Sequence, residues 1–348
     1  MAFTYYSPVT IDHTKCGASD SSNFAVLFNT IDARFKTVGN GGHVQNSSGF
    51  DIRPYSDSGL TTALSFELER YNASTGEVVM WIKEATVSHT SDTVFYLGYG
   101  DSGISTDGSS TASWDSNFNA VYHFKDGSSL NTNDSTVNAV NLTGHNTPTA
   151  ATGQIDGGVG LVTASTQYLD ATLNIGALTA MTVSAWIKAT SFPDAYNTIY
   201  ANAVSGSAVY EMFVKSTGKL AMYMATPALN YDGTGSHTLS TGTWYLVHMT
   251  YNSTQGLIGY VNGASDGTVA ASGNLSASTN ASNVGRDPLN TGRSWNGIID
   301  EMRISHVARS ADWITTEYNN QNSPSTFYTV GTEVSLGGVN AAAFFRIF

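Results

Sequence analysis

The sequence has one cysteine, Cys16, so it forms no intramolecular disulfide and no zinc site built on cysteines. Cys16 itself reads as a small buried apolar residue. Charge is scarce and unbalanced: 15 Lys and Arg against 27 Asp and Glu give −12 at pH 7 with His neutral. Such a chain repels phosphate backbones and lacks the electrostatic term that dominates non-specific nucleic-acid binding, so no nucleic-acid partner is expected. Long apolar runs are missing too, and no window approaches a membrane span, so no membrane insertion is expected. The start, "MAFTYYSPVTIDHTKC", has no basic segment ahead of an apolar core and does not read as a signal peptide. An extracellular role would then need lysis, a non-Sec route or a removed leader. The 8 histidines make no HxH or HExxH spacing, which argues against zinc, and no Gly-rich phosphate loop stands between a strand and a helix.

Proline is sparse, at 7 residues, while Gly, Ser, Thr and Asn are abundant. That mixture suits a β protein with many polar turns rather than a disordered chain or a helical bundle. At 348 residues the chain is long enough for two domains. Residues 1–108 read as strands: "SPVTIDHT", "NFAVLFN", "EVVMWIKEATV" and "TVFYLGYG" alternate or run apolar, with a turn in "GFDIRPYSDSG". Residues 109–115 lose all large apolar side chains before Trp114 and read as a linker. Residues 116–332 return to strand and turn at a period of about 8 to 14 residues, the pattern of a two-sheet sandwich or jelly roll. One helix is expected, in "SADWITTEYNNQ", with Ser310 as its N-cap and Asp312 in its first turn. Residues 333–348 form an apolar tail ending in Phe344, Phe345, Ile347 and Phe348. Side chains of that kind need burial, so the tail is expected to dock on another subunit or on the chain's own first domain.

The second section resembles the LamG-like jelly rolls of the concanavalin A-like lectin/glucanase superfamily. The resemblance is carried by an ordered series, "AVYHFKDGSSLNTNDST", "MTVSAWIKA", "GTWYLVHMTYN", "GLIGYVNG" and "NGIIDEMRISHVARSADWI". The usual "FDG…YV" run survives only loosely, as "GQIDGGVGLVTASTQYLDA". The first section resembles the domain of unknown function 2341, which often precedes such jelly rolls in microbial and phage surface proteins. "TIDHTK…NFAVLF", "LSFELERYNASTGEVVMWIK" and "DTVFYLGYGD" carry that likeness. The expected fold is therefore all-β: an N-terminal β-sandwich-like domain followed by a concanavalin A-like, LamG-type jelly roll.

Glycoside hydrolysis needs two carboxylates about 5 to 9.5 Å apart, and the Glu-x-Asp-x-x-Glu run of the superfamily's glucanases does not occur. Asp300 and Glu301 are adjacent in a strand, where side chains alternate between faces, so they are not expected to share a cleft. Glu67 and Glu69 do share a face by spacing, but with Arg70 and Lys83 nearby they read as a solvated charged face. Glu301 is placed to pair with Arg303. The resemblance implies that Asp300 binds a structural calcium with Asp126; the alternative is an Asp300 that accepts turn hydrogen bonds without metal.

A sugar presents an apolar face to an aromatic ring and hydroxyls to amides and carboxylates. Three expected loops carry such groups, "SFPDAYNT", "LNYDGTGSH" and "GRDPLNTGRSWNG". The ligand-binding candidates are Tyr196, Asn197, Tyr231, Asp232, Arg293 and Trp295, against the alternative that the loop aromatics close the ends of the sandwich. The expected function is a non-catalytic surface module of a larger assembly, a phage virion protein that binds glycans or a host cell surface through its jelly-roll loops and contacts other virion subunits. The alternatives are an extracellular or cell-surface module, an atypical glycoside hydrolase and a purely structural shell or decoration protein.

Overall fold

The computed structural model describes residues 3–125, 128–173, 175–204 and 207–337. The chain divides into two compact units, one formed by Met1–Ser113 and Asn319–Phe348, the other by Trp114–Tyr318. Residues 319–332, assigned from sequence to the jelly roll, thus lie in the first unit. The tail's terminal aromatics fall outside the described residues.

The first unit contains two antiparallel sheets among the described residues. In one, Tyr5–Ile11 pairs with Thr93–Tyr99 on one side and with Tyr328–Val330 and Val334–Ser335 on the other, and Arg53–Tyr55 follows Thr93–Tyr99. The other has the order Ser21–Ile31, Glu77–Val87, Phe66–Asn72. Alternating apolar residues make one face of each sheet hydrophobic. Phe28 packs against Phe35, Phe95 and Tyr328, with ring centroids 5.3 to 6.5 Å apart. Glu69 departs from the solvated face expected of it. A register shift beside Leu68 turns it inward, where it is buried and accepts the Trp81 indole N–H at 2.6 Å. Cys16 is half-buried and burial pushes its thiol up to about 11, which leaves it protonated and unreactive at neutral pH.

A strand with an unpaired edge exposes backbone groups that need partners. On Ser21–Ile31, residues 27 and 29 point their N–H and C=O groups the same way, and the returning C-terminal segment meets them. The Asn320 side-chain amide accepts from Leu27 N–H at 2.7 Å and donates to its carbonyl at 3.0 Å. The Tyr328 hydroxyl accepts from Asn29 N–H at 2.8 Å and donates to its carbonyl at 2.9 Å. Two side chains thus take the place of a neighbouring strand.

The second unit is a two-sheet sandwich. Its eight-stranded sheet has Trp244–Asn252, Ala180–Ala189 and Gly297–Ser305 at the centre; its seven-stranded sheet runs Asn230–Thr238, Lys219–Ala225, Ser207–Lys215, Tyr196–Val204, Ser282–Val284, Tyr168–Ala171, Thr143–His145. The core between them takes every second residue: Val183, Ala185 and Ile187 on one side, Leu220, Met222 and Met224 on the other. The helix Ala311–Asn322 begins where expected, with Ser310 Oγ accepting from Trp313 N–H at 3.1 Å. No described helix is long and apolar enough to cross a membrane.

Alternation fails in Gly297–Ser305. Glu301 and Met302 together oppose Ala185, and Glu301 has φ of 50°, so a β-bulge interrupts the strand. Ile299 and Met302 both face the core, which sends Asp300 and Glu301 together to the outer side. The expectation that neighbouring acids must face opposite ways is corrected by that extra residue. Both are nevertheless engaged. Asp300 Oδ2 accepts from the Gln154 and Ile155 N–H groups, each at 2.9 Å. Glu301 bridges His123, at 2.7 Å, and Arg303, at 2.6 Å, the second pairing being the expected one. Arg303 continues to Glu317 at 2.7 Å, and Glu317 to His248 at 2.7 Å. All five side chains are buried. They join the outer face of the eight-stranded sheet to the helix, where Tyr318 also packs on Trp186.

Asn320→Ala strips both Leu27 backbone groups of their partner, and a buried unsatisfied donor and acceptor cost about 1 to 3 kcal/mol each. Urea denaturation should give a destabilisation of roughly 2 kcal/mol or more; a midpoint within error of the wild type would contradict the edge-covering role.

Candidate functional site

The helix packs on the outer side of the eight-stranded sheet, and the outer side of the seven-stranded sheet carries a polar row. Register sets one row across it: Asp232, Tyr223, Glu211, Ala201, Asn283, Asp170 and Thr143, one residue from each strand. Neighbouring core residues, Met222, Met224, Met212 and Tyr210, fix the direction of these side chains by alternation. Asp232 and Thr143 are exposed, Tyr223 and Asp170 half-buried, and Glu211 and Asn283 buried. Ala201, between Glu211 and Asn283, is buried as well.

Glu211 is the centre of the row. Its Oε1 accepts from Thr198 Oγ1 at 2.6 Å. Burial pushes its carboxyl from 4.5 up to about 7; the Thr198 bond and Arg293 oppose the rise, and the charges of Asp287 and Asp232 add to it. Two stacks flank the row. The Arg293 guanidinium lies 4.0 Å over the Tyr196 ring, which packs on Phe213 at 4.8 Å, and Asp287 holds Arg293 at 3.3 Å. Arg286 lies 3.3 Å over Tyr168, whose other neighbour is His145 at 4.3 Å. His145 in turn meets Asp170 at 3.0 Å.

The candidates from sequence are divided by this geometry. Tyr196 and Arg293 come together in one stack, and Asp232 stands at the outer end of the row. Tyr231 faces the other way, being adjacent to Asp232 on its strand; it packs against the core and its hydroxyl donates to the Ser272 carbonyl at 3.2 Å. Asn197 and Trp295 require correction. Asn197 is fully buried and its amide holds the Asp194 and Val214 carbonyls at 2.8 and 2.9 Å, so it braces a turn and is not a ligand contact. Trp295 is fully buried in the core against Phe192, where no sugar can stack on it. Glu211, Tyr223, Asn283 and Asp170 were not singled out from sequence. The isolated acid of "AVYEMFVK" was the available signal, since an alternating strand puts that position opposite the core.

For calcium, Asp126 lies outside the described residues. The Asp300 Oδ2 atom receives two amide N–H groups, and Asp300 belongs to no close group of three acidic or imidazole ligands among the described residues.

The family comparison agrees with the sandwich. Residues 163–315 match the family model of the concanavalin A-like lectin/glucanases superfamily. The match lies within the second unit and confirms the expected jelly-roll fold there. No curated protein sequence matches the chain. Among solved structures, domain 4 of AbnA, a GH43 extracellular arabinanase from Geobacillus stearothermophilus, solved with arabinotriose, is 21% identical with a TM-score of 0.44, covering 57% of this chain and 96% of that one. The binding domain of Paraclostridial Mosquitocidal Protein 1 is 14% identical with a TM-score of 0.49, covering 58% of this chain. This chain spans about half, 52%, of that binding domain's length. A heptameric SAP-like pentraxin from Limulus polyphemus is 22% identical with a TM-score of 0.36, covering 42% and 73%.

The raised Glu211 carboxyl has a measurable consequence. The fold favours its protonated form, so it lends stability that is complete below its ordinary 4.5 and is lost as pH rises to about 7. Glu211→Gln should therefore be more stable relative to wild type at pH 8 than at pH 4.5, by on the order of 3 kcal/mol in urea denaturation. The buried Glu84, also raised to about 7, acts in the same direction but cancels in this comparison. Parallel curves for the two proteins across that range would contradict the burial of a titrating Glu211.

Proposed function

We propose that the chain is a non-catalytic glycan-binding surface module whose ligand lies on the outer face of the seven-stranded sheet. One observation carries the reading: the register row that sets Tyr223 between Asp232 and Glu211, with Asn283 and Asp170 on the same face. A half-buried ring offers a surface for the apolar side of a sugar, and the exposed Asp232 and half-buried Asp170 carboxylates accept from its hydroxyls, with the buried Glu211 and Asn283 beneath them. A glycan array with the full chain tests this. A bound glycan should lose at least about tenfold in affinity with Tyr223→Ala, close to 1.4 kcal/mol, while the melting temperature stays unchanged. An empty array, or a bound glycan indifferent to Tyr223, would remove the reading.

A second reading, an atypical glycoside hydrolase, is favoured by the same face. Glu211 and Asp232 lie two strands apart, about 9 to 10 Å by strand spacing, near the upper end of the separation used by inverting enzymes. A carboxyl titrating near 7 is suited to a general acid. Release of reducing ends from a polysaccharide panel, abolished by Glu211→Gln, would establish this second reading over the first.

Calcium held by Asp126 and Asp300 is the metal part of the proposal. An ion at a hundredfold excess over its Kd adds about 2.7 kcal/mol to the folded state, so calcium should raise Tm and EDTA should reverse the rise. A Tm indifferent to both removes the ion. The first unit, with its likeness to the domain of unknown function 2341, and the apolar tail support a place in a larger assembly, a phage virion above all. That placement stands or falls on whether purified particles contain the chain.

A further inference from the structure

The first unit contains a pocket that does not enter the glycan reading. It encloses about 580 Å³, within the span of small-molecule sites, and its walls are the Arg53–Tyr55 strand, residues 63–66 and residues 103–110. Backbone bonds tie these walls together. Leu64 N–H donates to the Pro54 carbonyl at 3.0 Å, and Ser110 N–H to the Phe66 carbonyl at 2.8 Å. Ser109 Oγ accepts from Leu68 N–H at 2.9 Å. The cavity is therefore preformed.

Arg53 is its one cationic group. The guanidinium lies 5.2 Å over the Phe66 ring and donates through Nη2 to the Thr106 carbonyl at 2.7 Å. It makes no ion pair among the described residues. Two acids act on its charge: Asp107, which also lines the pocket and whose Oδ1 accepts from Ser109 N–H at 2.8 Å, and the buried Asp51, whose oxygens accept from the N–H groups of Gln45, Asn46 and Gly100. A guanidinium has five N–H donors in a planar fork, so four remain for a planar oxyanion. Gly108 keeps the space for this fork: a Cβ there would sit 1.1 Å from Arg53 Nη1. The rest of the lining joins apolar surface, from Leu64 and Ile104, to the hydroxyls of Ser65 and Thr106 and to the Asp107 carboxylate, an acceptor for a ligand hydroxyl.

We propose that this pocket binds a small carboxylate-bearing sugar, a uronic acid, with its carboxylate on the Arg53 fork and its ring between the apolar wall and the hydroxyls. Paired N–H donors match a carboxylate in geometry as well as charge, and a ring with one apolar face fits the mixed lining.

Isothermal titration of the full chain with D-galacturonate and with D-galactose tests the class without any variant. Galacturonate should bind, with galactose at least tenfold weaker. Arg53→Gln and Gly108→Val should each lose tenfold or more for galacturonate, and Arg53→Lys should restore only part, since an ammonium keeps the charge and lacks the fork. Tyr223→Ala should leave this binding unchanged, which separates failure of this site from failure of the glycan face. No heat with galacturonate at millimolar concentration, equal affinity for galactose, stronger binding of inorganic phosphate, or a folded Arg53→Gln that binds normally would each overturn the proposal.

Discussion

A buried row of alternating basic and acidic side chains ties the eight-stranded sheet to its covering helix. From His123 through Glu301, Arg303 and Glu317 to His248, each acid lies between two basic partners at 2.6 to 2.7 Å, and all are out of solvent. Removing one member would leave an uncompensated charge in a medium that tolerates it poorly, at about 3 to 5 kcal/mol. The geometry is therefore close to all-or-none. It requires the bulge that turns Glu301 outward, and it requires the helix that brings Glu317.

The opposite face is built differently. Its guanidinium groups are held flat on aromatic rings, Arg293 on Tyr196 and Arg286 on Tyr168, so their positions depend on packing as well as on charge. Arg309 shows the same device in the closed part of the unit, lying 4.6 Å over both Phe118 and Trp313 while pairing with Asp115 at 3.3 Å. Stacking fixes a long flexible side chain at small entropic cost, because the planar head is already ordered before anything binds. Between these two fixed walls lies the buried Glu211 carboxyl, which burial holds toward its protonated form.

How much of this was legible in the sequence depends on the range of the interactions involved. The jelly roll was legible because its signal is local: runs such as "MTVSAWIKA" and "TWYLVHMTYN" declare strands by themselves, and Ser310 declares the helix. The Glu301–Arg303 pair was legible for the same reason. The bulge was not, since its left-handed residue is a glutamate where a glycine would have announced it. Trp295 was misread because a polar surrounding sequence, "GRSWNG", says nothing about a chain that doubles back from Gly285 into the core. Above all, the row through Glu211 exists only by register between strands far apart in sequence. Asn283 reaches Ala201 across 82 positions, and no local pattern encodes that pairing.

The edge of Ser21–Ile31 covered by Asn320 and Tyr328 bears on the order in which the polypeptide takes shape. Those contacts span 293 and 299 residues. The strand Tyr5–Ile11 likewise waits for Tyr328–Val330 to complete its sheet. The second unit, Trp114–Tyr318, is by contrast one continuous stretch. During synthesis at about 5 to 20 residues per second, the N-terminal unit emerges first yet must hold an open strand edge until nearly the whole chain has been made. The inserted jelly roll can close before then, which reverses the usual N-to-C sequence of domain folding.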